Sequence, residues 1–292
     1  MQAEVFFQYD CVLGEGPHWD HQKQDLLWVD IEQGVLHRLT LREKRQYTTY
    51  TFDSRLGAAV PTNQGTYLLA LQKGLTFFDP EAEVLEYFAY PERDIPNNRF
   101  NDGKCDPAGR FWIGSMDCSA AAEMGNLYRV NKNQLVETML TQLTISNGLA
   151  WNEAGDKMYF IDSATQSVQS FDFDLPSGAI TNPQNVILIP EAEGIPDGMT
   201  IDAEGMLWIA HWGGHQVTRW NPENGELLQK IAVAAPHVTS CCFGGPQLDQ
   251  LFITTARIGL SPEQLKQYPL SGSVFSVTPG VSGVAATEYK MK

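Results

Sequence analysis

Six short apolar segments recur along the 292-residue chain at nearly even intervals, and this repeat constrains the fold more than any other feature. Each segment has the length and the apolar or aromatic content of a buried β-strand. The segments are LLWVD (26–30), YLLAL (67–71), RFWIG (110–114), MYFID (158–162), LWIAH (207–211) and LFITT (251–255). Their centres lie near residues 28, 69, 112, 160, 208 and 252. An interval of this size is typical of one four-stranded propeller blade of about 40 to 50 residues.

A second strand-like segment follows most copies of the repeat, with apolar and polar residues in alternation and turn residues between the two segments. This pattern is typical of antiparallel hairpins. Helical periodicity is confined to SPEQLKQY (261–268). The sequence therefore predicts an all-β fold, a six-bladed β-propeller that forms a single domain over residues 1–292. The N-terminal segment EVFFQY (4–9) is a candidate to pair with the last blade and close the ring.

The charge and the cysteines restrict the partners and the location of the chain. Its 35 acidic and 20 basic residues give a formal net charge of -15. Phosphate binding needs a basic surface, so we expect no nucleic-acid partner, whereas a bound cation suits an acidic protein. The first ten residues lack the regions of a secretory signal, and no apolar window is long enough to span a membrane. The five cysteines form no CxxC pair, so we expect reduced thiols and a cytoplasmic location.

A small polar motif precedes the apolar segments, and it explains why charged residues adjoin buried strands. In four of the six copies it begins with an acidic or amide residue, and a glycine follows. Equivalent residues of propeller blades line the central channel, so they converge although they are far apart in sequence. The ring predicted in this way consists of Glu15, Leu56, Asp102, Asn147, Asp197 and Thr239.

The carboxylate and amide members of this ring predict a metal site. Carboxylates that meet at one axis repel each other unless a cation lies between them. Their oxygen atoms suit Ca²⁺, Mg²⁺ or Mn²⁺, and a carboxylate site also accommodates Zn²⁺. The alternative interpretation is that Asp-Gly and Asn-Gly are turn dipeptides. Recurrence in four copies, ahead of the same apolar strand, favours a functional ring.

Longer stretches around these motifs carry a family resemblance. They are GEGPHW, NNRFNDGKCDPAGRFWIGSM, ISNGLAW, IPDGMTIDAEGMLWIA, TSCCFGG and FITTARIG, and together they extend over nearly the whole chain. In this order they resemble the senescence-marker-protein (regucalcin), gluconolactonase and luciferin-regenerating-enzyme family. The resemblance implies a six-bladed propeller that holds one divalent metal, commonly Ca²⁺ or Zn²⁺, and hydrolyses sugar lactones.

The resemblance also implies roles for individual residues. Arg99 and Asn101 stand where members of the family contact the sugar, and Asn101 also lies near the metal. The chain departs from the family at Ser119, where regucalcin-like members have a glutamate that helps to bind the sugar. The metal ligands that the resemblance implies are Glu15, Asn147 and Asp197.

The chemistry predicted from these residues is metal-dependent hydrolysis of an aldonolactone to the aldonic acid. Asp197 is the first candidate for the general base and Asp102 the second, while Arg99 offers planar donors for sugar oxygens. The chain has no G-x-S-x-G elbow and no G-x-G-x-x-G ahead of a helix, which disfavours a serine hydrolase and a nucleotide site.

Two other functions remain open on the sequence alone. One is a calcium-binding regulatory propeller without catalysis, and the other is a propeller hydrolase of phosphotriesters. The sugar-contact pair Arg99 and Asn101 favours the lactonase over both. The six histidines show no H-E-x-x-H spacing, and they and the seven tryptophans are interpreted as surface or packing residues. His211 and Trp212, which follow an apolar strand, are the candidate exceptions at the mouth of the channel.

Overall fold

The fold consists almost entirely of short antiparallel strands, because apolar segments alternate with turn-forming residues along the chain. The computed structural model describes residues 1–42 and 45–292. Four of its sheets contain four strands each, taken in chain order, and a fifth contains eight. The all-β prediction is confirmed.

Each four-stranded sheet takes its strands from one continuous stretch of the chain. The first sheet contains β2 (Gly14–Asp20), β3 (Asp25–Asp30), β4 (Val35–Thr40) and β5 (Gln46–Thr51). The second contains β6 (Leu56–Pro61), β7 (Tyr67–Leu71), β8 (Gly74–Asp79) and β9 (Val84–Ala89). The third contains β10 (Asn98–Cys105), β11 (Phe111–Asp117), β12 (Gly125–Val130) and β13 (Val136–Leu143). The fourth contains β14 (Ser146–Trp151), β15 (Lys157–Asp162), β16 (Ser167–Asp174) and β17 (Ala179–Leu188).

The eight-stranded sheet is two sets of four strands. One set is β18 (Ile195–Ile201), β19 (Leu207–Trp212), β20 (Gln216–Asn221) and β21 (Glu226–Ala232). The other is β22 (His237–Gly244), β23 (Gln250–Ala256), β24 (Val274–Val277) and β1 (Glu4–Phe7). A single residue pair, Trp212 with His237, joins the two sets.

The pairing of β1 with β24 confirms the prediction that the N-terminal segment closes the last set of strands. The two strands are antiparallel, and Val5 lies opposite Phe275. The predicted short helix is also confirmed, as α1 (Pro262–Gln267). It begins at a capping box in which the side chains of Ser261 and Gln264 bond to each other's backbone N–H.

Two single turns of 3-10 helix, Ser163–Thr165 and Glu191–Glu193, are further helical elements. Within residues 1–42 and 45–292, none of the helices has the length and apolar character needed to cross a bilayer.

The apolar repeat forms the core. Its six copies are the second strands of the successive sets, β3, β7, β11, β15, β19 and β23. Large residues at their centres, such as Trp28, Trp112 and Trp208, are fully buried. The apolar clusters of the described residues lie between consecutive sets of strands, and one of them packs Trp19 and Trp28 against Phe252, which joins the last set to the first.

The first strand of each set lies innermost. These strands pack side by side in the order β2, β6, β10, β14, β18 and β22, and β22 packs against β2. The inner strands therefore surround a common axis, and the polar motifs of the sequence lie on them.

Candidate metal and lactone site

The polar motifs form β-bulges in the inner strands. In β10, β14 and β18, two residues lie opposite a single residue of the next strand, and each pair begins with Asn101, Asn147 or Asp197. In β2 the bulge follows Glu15 directly. A bulge takes residues out of the ladder and turns their side chains away from the sheet, which here directs them toward the axis.

The register corrects one expectation of the sequence analysis. The repeat predicts Asp102 as the equivalent of Asn147 and Asp197, but the equivalent residue is Asn101, and Asp102 is the second residue of its bulge. The hairpins between inner and second strands differ in length, so spacing in the sequence does not identify the register.

The glycines after Asn147 and Asp197 are required by the packing of neighbouring inner strands. A Cβ atom on Gly148 would lie 2.6 Å from the Cβ of Met199 and 2.9 Å from the carbonyl oxygen of Asp197. A Cβ atom on Gly198 would lie 2.1 Å from the Oγ of Ser240. Only glycine therefore lets adjacent inner strands approach so closely at the level of the site.

A cavity of about 280 Å³ opens where the inner strands begin. The structure brings five predicted site residues together in its wall, from four different inner strands. These residues are Glu15, Arg99, Asn101, Asn147 and Asp197.

The other candidates lie outside this wall. Asp102 is buried beside the axis, Leu56 and Thr239 are buried in the neighbouring strands, and none of the three lines the cavity. Ser119 is exposed on the turn after β11, where its hydroxyl donates to Asp117 Oδ1 at 2.5 Å. The structure therefore does not place Ser119 at the cavity.

A chain of hydrogen bonds fixes the orientation of the two amides. The Ser163 hydroxyl donates to the Pro196 carbonyl at 2.6 Å and accepts from Asn147 Nδ2 at 2.8 Å. The other end of this amide, Oδ1, accepts from Asn101 Nδ2 at 3.0 Å. Asn101 Oδ1 in turn accepts from Arg99 at 2.6 Å. The Pro196 carbonyl can only accept a hydrogen bond, so the donor and acceptor of every bond in this series are fixed. The series therefore orients Asn147 with its amide oxygen, rather than its nitrogen, toward Asn101.

Three buried carboxyl groups influence one another at this point of the axis. Burial raises the pKa of Glu15 to about 8, and the charge of Asp102 adds to the effect. Burial also raises the pKa of Asp197 well above its usual value, and the charges of Glu15 and Asp102 raise it further. Asp102 has a raised pKa for the same first reason, which Lys104 opposes, and its Oδ2 is buried without a hydrogen-bond partner.

Arg99 is the cation nearest to these carboxylates in the cavity wall. Its guanidinium donates to the Phe100 carbonyl at 3.0 Å as well as to Asn101. Burial lowers its pKa, while Glu32, Cys118 and Glu15 oppose that effect. The guanidinium is thus held in place from one side, and its remaining N–H groups are available to an oxygen-bearing ligand.

The donor set fits a cation only if the amide takes part. Across the part of the chain that the structure describes, no three His, Cys, Asp or Glu side chains come together in a group that could hold a metal ion. Glu15 and Asp197 supply two carboxylates, and Asn147 supplies an amide oxygen already oriented by its hydrogen bonds. Oxygen-only ligands of this kind suit hard divalent cations.

Three further residues line the wall. Sequence reasoning did not identify Glu32 and Ser163 as parts of the site, and it identified Trp212 only as a candidate at the mouth of the channel. Glu32 follows β3 and pairs with Arg55 at 2.9 Å. Ser163 follows β15, and Trp212, one of the two candidate exceptions, ends β19. All three lie at or just after the ends of second strands, so their common position was a usable signal. The other candidate, His211, is fully buried and shares a 2.5 Å hydrogen bond with Thr218.

Comparison with known proteins identifies the family of the chain. Residues 13–257 match the family described as the SMP-30/Gluconolactonase/LRE-like region. The chain is 36% identical to regucalcin of Sus scrofa over 99% of its own length and 98% of that protein. It is 35% identical to the putative sugar lactone lactonase YvrE of Bacillus subtilis (strain 168), covering 94% of both chains.

A solved structure extends the comparison to three dimensions. The structure of a calcium-binding protein, regucalcin, from Agrobacterium tumefaciens superposes with a TM-score of 0.93 at 29% identity, covering 99% of this chain and 97% of the other. With matches over nearly the full length in sequence and in structure, the chain belongs to the SMP-30/gluconolactonase/LRE-like family.

Proposed function

We propose that the protein is a metal-dependent lactonase that hydrolyses a sugar aldonolactone to the aldonic acid. One observation carries the proposal: two buried carboxylates with raised pKa values and an oriented amide face the same cavity as Arg99. A regulatory calcium site would need the carboxylates but not the arginine beside them. The relative named as a putative sugar lactone lactonase supports the same reaction.

The residues that would hold the cation are Glu15, Asn147 and Asp197. The oxygen-only donor set and the calcium-binding relative favour Ca²⁺, and Zn²⁺, Mn²⁺ and Mg²⁺ are the other candidates. The chemistry that a divalent cation supplies at such a site is Lewis-acid stabilisation of the oxyanion that develops on the lactone carbonyl.

The side chains perform the remaining steps. Arg99 donates to oxygens of the lactone and holds the ring against the carboxylates, while Asn101 keeps the guanidinium in position. Asp197 accepts a proton from water as the water oxygen bonds to the carbonyl carbon. The ring C–O bond then breaks, and the proton passes to the leaving ring oxygen, which becomes the free hydroxyl of the aldonic acid.

Asp102 and Ser119, two of the candidates from the sequence, have lesser roles in this mechanism. Asp102 lies outside the cavity wall, so Asp197 is the base that we propose, and Asp102 contributes to the local negative charge. Ser119 contacts a ligand only if the turn that carries it moves, and Glu32 is the acidic side chain that the wall itself offers beside Arg99.

The architecture that we propose for this function is a single six-bladed propeller. The eight-stranded sheet represents two blades, since one residue pair joins its halves, and β1 completes the sixth blade. We also propose a cytosolic location, because all five cysteines are unpaired thiols.

The test is a panel of glucono-, galactono-, xylono- and arabinolactones crossed with Ca²⁺, Zn²⁺, Mn²⁺ and Mg²⁺ on metal-stripped protein, followed by acid release. We expect hydrolysis that depends on added metal and is lost in Asp197→Asn. Metal binding without hydrolysis of any lactone would instead support the regulatory propeller. Hydrolysis that persists in chelator would contradict the metal dependence.

A further inference from the structure

The cavity has two unlike walls. Arg99 and Glu32 form a polar wall, from the third and first sheets. Ile195, Trp212 and Ile258 form an apolar wall, from the eight-stranded sheet and the turn after β23. A ligand that fills this space meets both hydrogen-bonding groups and an apolar surface.

Trp212 differs from the other tryptophans of the chain. The other six are buried in the core, whereas Trp212 is only partly buried and lines the cavity. One face of its indole stacks on the imidazole of His237, with ring centroids 3.9 Å apart and planes 12° apart. Since His237 covers that face, the part of the ring that reaches the cavity is the opposite face or its edge.

The ring is also fixed in position. The backbones of Trp212 and His237 pair where the two halves of the eight-stranded sheet meet. The Nδ1 atom of His237 bonds to the Ile258 carbonyl at 3.0 Å. The indole, the imidazole and the turn that carries Ile258 therefore form one connected unit, and a ligand that packs on the indole loses little additional side-chain entropy.

Two residues of the apolar wall are far more exposed than the apolar residues of the core. Ile195 is 42% exposed and Ile258 is 37% exposed, both beside the partly exposed indole. Apolar surface at the entrance of a cavity is stabilised when a ligand covers it. A rigid aromatic ring fits the flat, C–H-rich face of a saturated ring.

We propose that Trp212 is a substrate-binding residue that selects lactones with an uninterrupted C–H face, which packs on the indole while hydroxyl groups on the other side bond to Arg99 and Glu32. The inference rests on the proposed lactonase function. It adds the class of substrate: a cyclic ester with hydroxyls directed away from the Trp212 side. A lactone with a hydroxyl on the packed face is disfavoured, since that hydroxyl loses its water without gaining a partner.

The first experiment measures hydrolysis by the metal-loaded enzyme. It compares wild type, Trp212→Phe and Trp212→Ala on two 1,5-lactones that are epimeric at C4, and Tyr90→Ala serves as a control that removes an exposed aromatic ring outside the cavity. For the preferred epimer we expect Trp212→Ala to raise KM about tenfold, with kcat within about threefold, because packing on an aromatic ring is worth roughly this much. Trp212→Phe should fall between the two.

Selectivity gives the sharper result. The ratio of kcat/KM between the two epimers should fall toward one in Trp212→Ala and remain near that of wild type in Tyr90→Ala. An unchanged KM and an unchanged ratio in a folded Trp212→Ala protein would overturn the proposal. Should that variant fail to fold, Trp212→Phe and Ile195→Ala test the same wall.

A second readout does not depend on hydrolysis. The δ-lactam that corresponds to the preferred lactone has no cleavable ester, and its binding is followed by tryptophan fluorescence and calorimetry. We expect binding to change the fluorescence of wild type but not of Trp212→Phe. Lactam binding that depends on Trp212, without turnover of any lactone, would support the role of Trp212 in binding and contradict the proposed lactonase function. Lactam affinity that is equal in wild type and Trp212→Ala would overturn the inference alone.

Discussion

Two groups of buried carboxylates lie at opposite ends of the inner strands, and they differ in how they are paired. At the end away from the cavity, Asp106 accepts the backbone N–H groups of Ala108 and Arg110 at 2.9 and 3.0 Å. It also accepts Arg110 Nε at 2.6 Å and Trp112 Nε1 at 3.0 Å. Every donor belongs to the hairpin that carries Asp106, so hydrogen bonds within the fold compensate its negative charge.

Asp202 repeats this pattern two sheets further along. It accepts the backbone N–H groups of Glu204 and Met206 at 2.9 and 3.0 Å. It accepts Trp208 Nε1 at 2.8 Å and Arg219 Nε at 2.7 Å. A buried ion pair with its remaining lone pairs satisfied is costly to break, because the partner charge is left unpaired.

At the cavity end the carboxylates are incompletely paired. Glu15 accepts the N–H of the neighbouring Gly16 at 2.9 Å, and burial raises the pKa values of both Glu15 and Asp197, to which the charge of Asp102 adds. The same residue type thus stabilises the fold where it is saturated with donors, and lies at the proposed binding site where it is not. Charge removal should therefore have opposite effects at the two ends.

The largest effect is expected at Asp197. Asp197→Asn should reduce lactone hydrolysis by about 1000-fold or more, equal to about 4 kcal/mol, since the proposed base is lost. The raised pKa means that the folded, metal-free protein holds a proton that the unfolded chain releases, so wild-type stability falls as pH rises above the usual Asp range. The variant should weaken this fall and be more stable than wild type at pH 9.

Urea unfolding in chelator at pH 6 and pH 9 measures this stability difference. A variant that retains near-normal turnover, or that is less stable than wild type at pH 9, would contradict the contrast between the two ends.

At Asp202 we expect the opposite change in the free energy of unfolding. Asp202→Asn should lower the free energy of unfolding by about 3 kcal/mol, because it leaves Arg219 buried without its full partner. Hydrolysis per folded molecule should not change, since Asp202 lies beyond the other end of β18 from Asp197. Urea unfolding and active-site titration check both parts.

The control for Asp202 is its exposed neighbour. Glu204→Ala removes the other acidic partner of Arg219, and we expect a loss of about 0.5 kcal/mol or less, as for exposed ion pairs. Equal losses in the two variants would show that saturation with donors does not distinguish Asp202.

Metal binding should release a proton at the cavity end. Glu15 has its pKa raised to about 8, so below that pH a cation displaces a proton, and its affinity should rise by about tenfold per pH unit between pH 6 and pH 8. Calorimetry in two buffers with different ionisation heats counts the protons released. Glu15→Gln should release fewer protons and bind more weakly, whereas an affinity independent of pH would contradict the raised pKa.

Much of the fold could be predicted from the sequence because the repeated segments are buried for the same reason in each set of strands. Trp112 and Trp208 lie at matching positions of β11 and β19, and each donates its indole N–H to an aspartate, so one environment selects similar residues. The strand formed by Glu4–Phe7 and the helix Pro262–Gln267 were also predicted, the helix from its periodicity.

The site could be predicted only in part. Residues in the repeated motif were identified. Arg99, Asn101 and Asp102 lie within four residues of each other, and the sequence does not show which of them matches Asn147 and Asp197 without the bulge that offsets β10 from β11. Ser163 and Trp212 come from second-strand ends whose sequences do not repeat, since each turn there has its own length. Their common position at the ends of second strands marks them as candidates, but whether each one reaches the cavity depends on the path of its turn in space.

The smallest effect is expected at Ser163, which links the cavity end to the backbone of the neighbouring strand. Ser163→Ala removes the acceptor of Asn147 Nδ2 and the donor to the Pro196 carbonyl, so the amide is free to rotate away from the ligand position. We expect about a tenfold loss of metal affinity, typical of a residue that orients a ligand without touching the metal, and little change in the free energy of unfolding. Ser177→Ala, at an exposed hydroxyl bonded to Asp174, should change neither quantity. If Ser163→Ala kept its metal affinity, the oriented amide would have no role at the site, and the two carboxylates alone would have to explain the difference between the two ends of the inner strands.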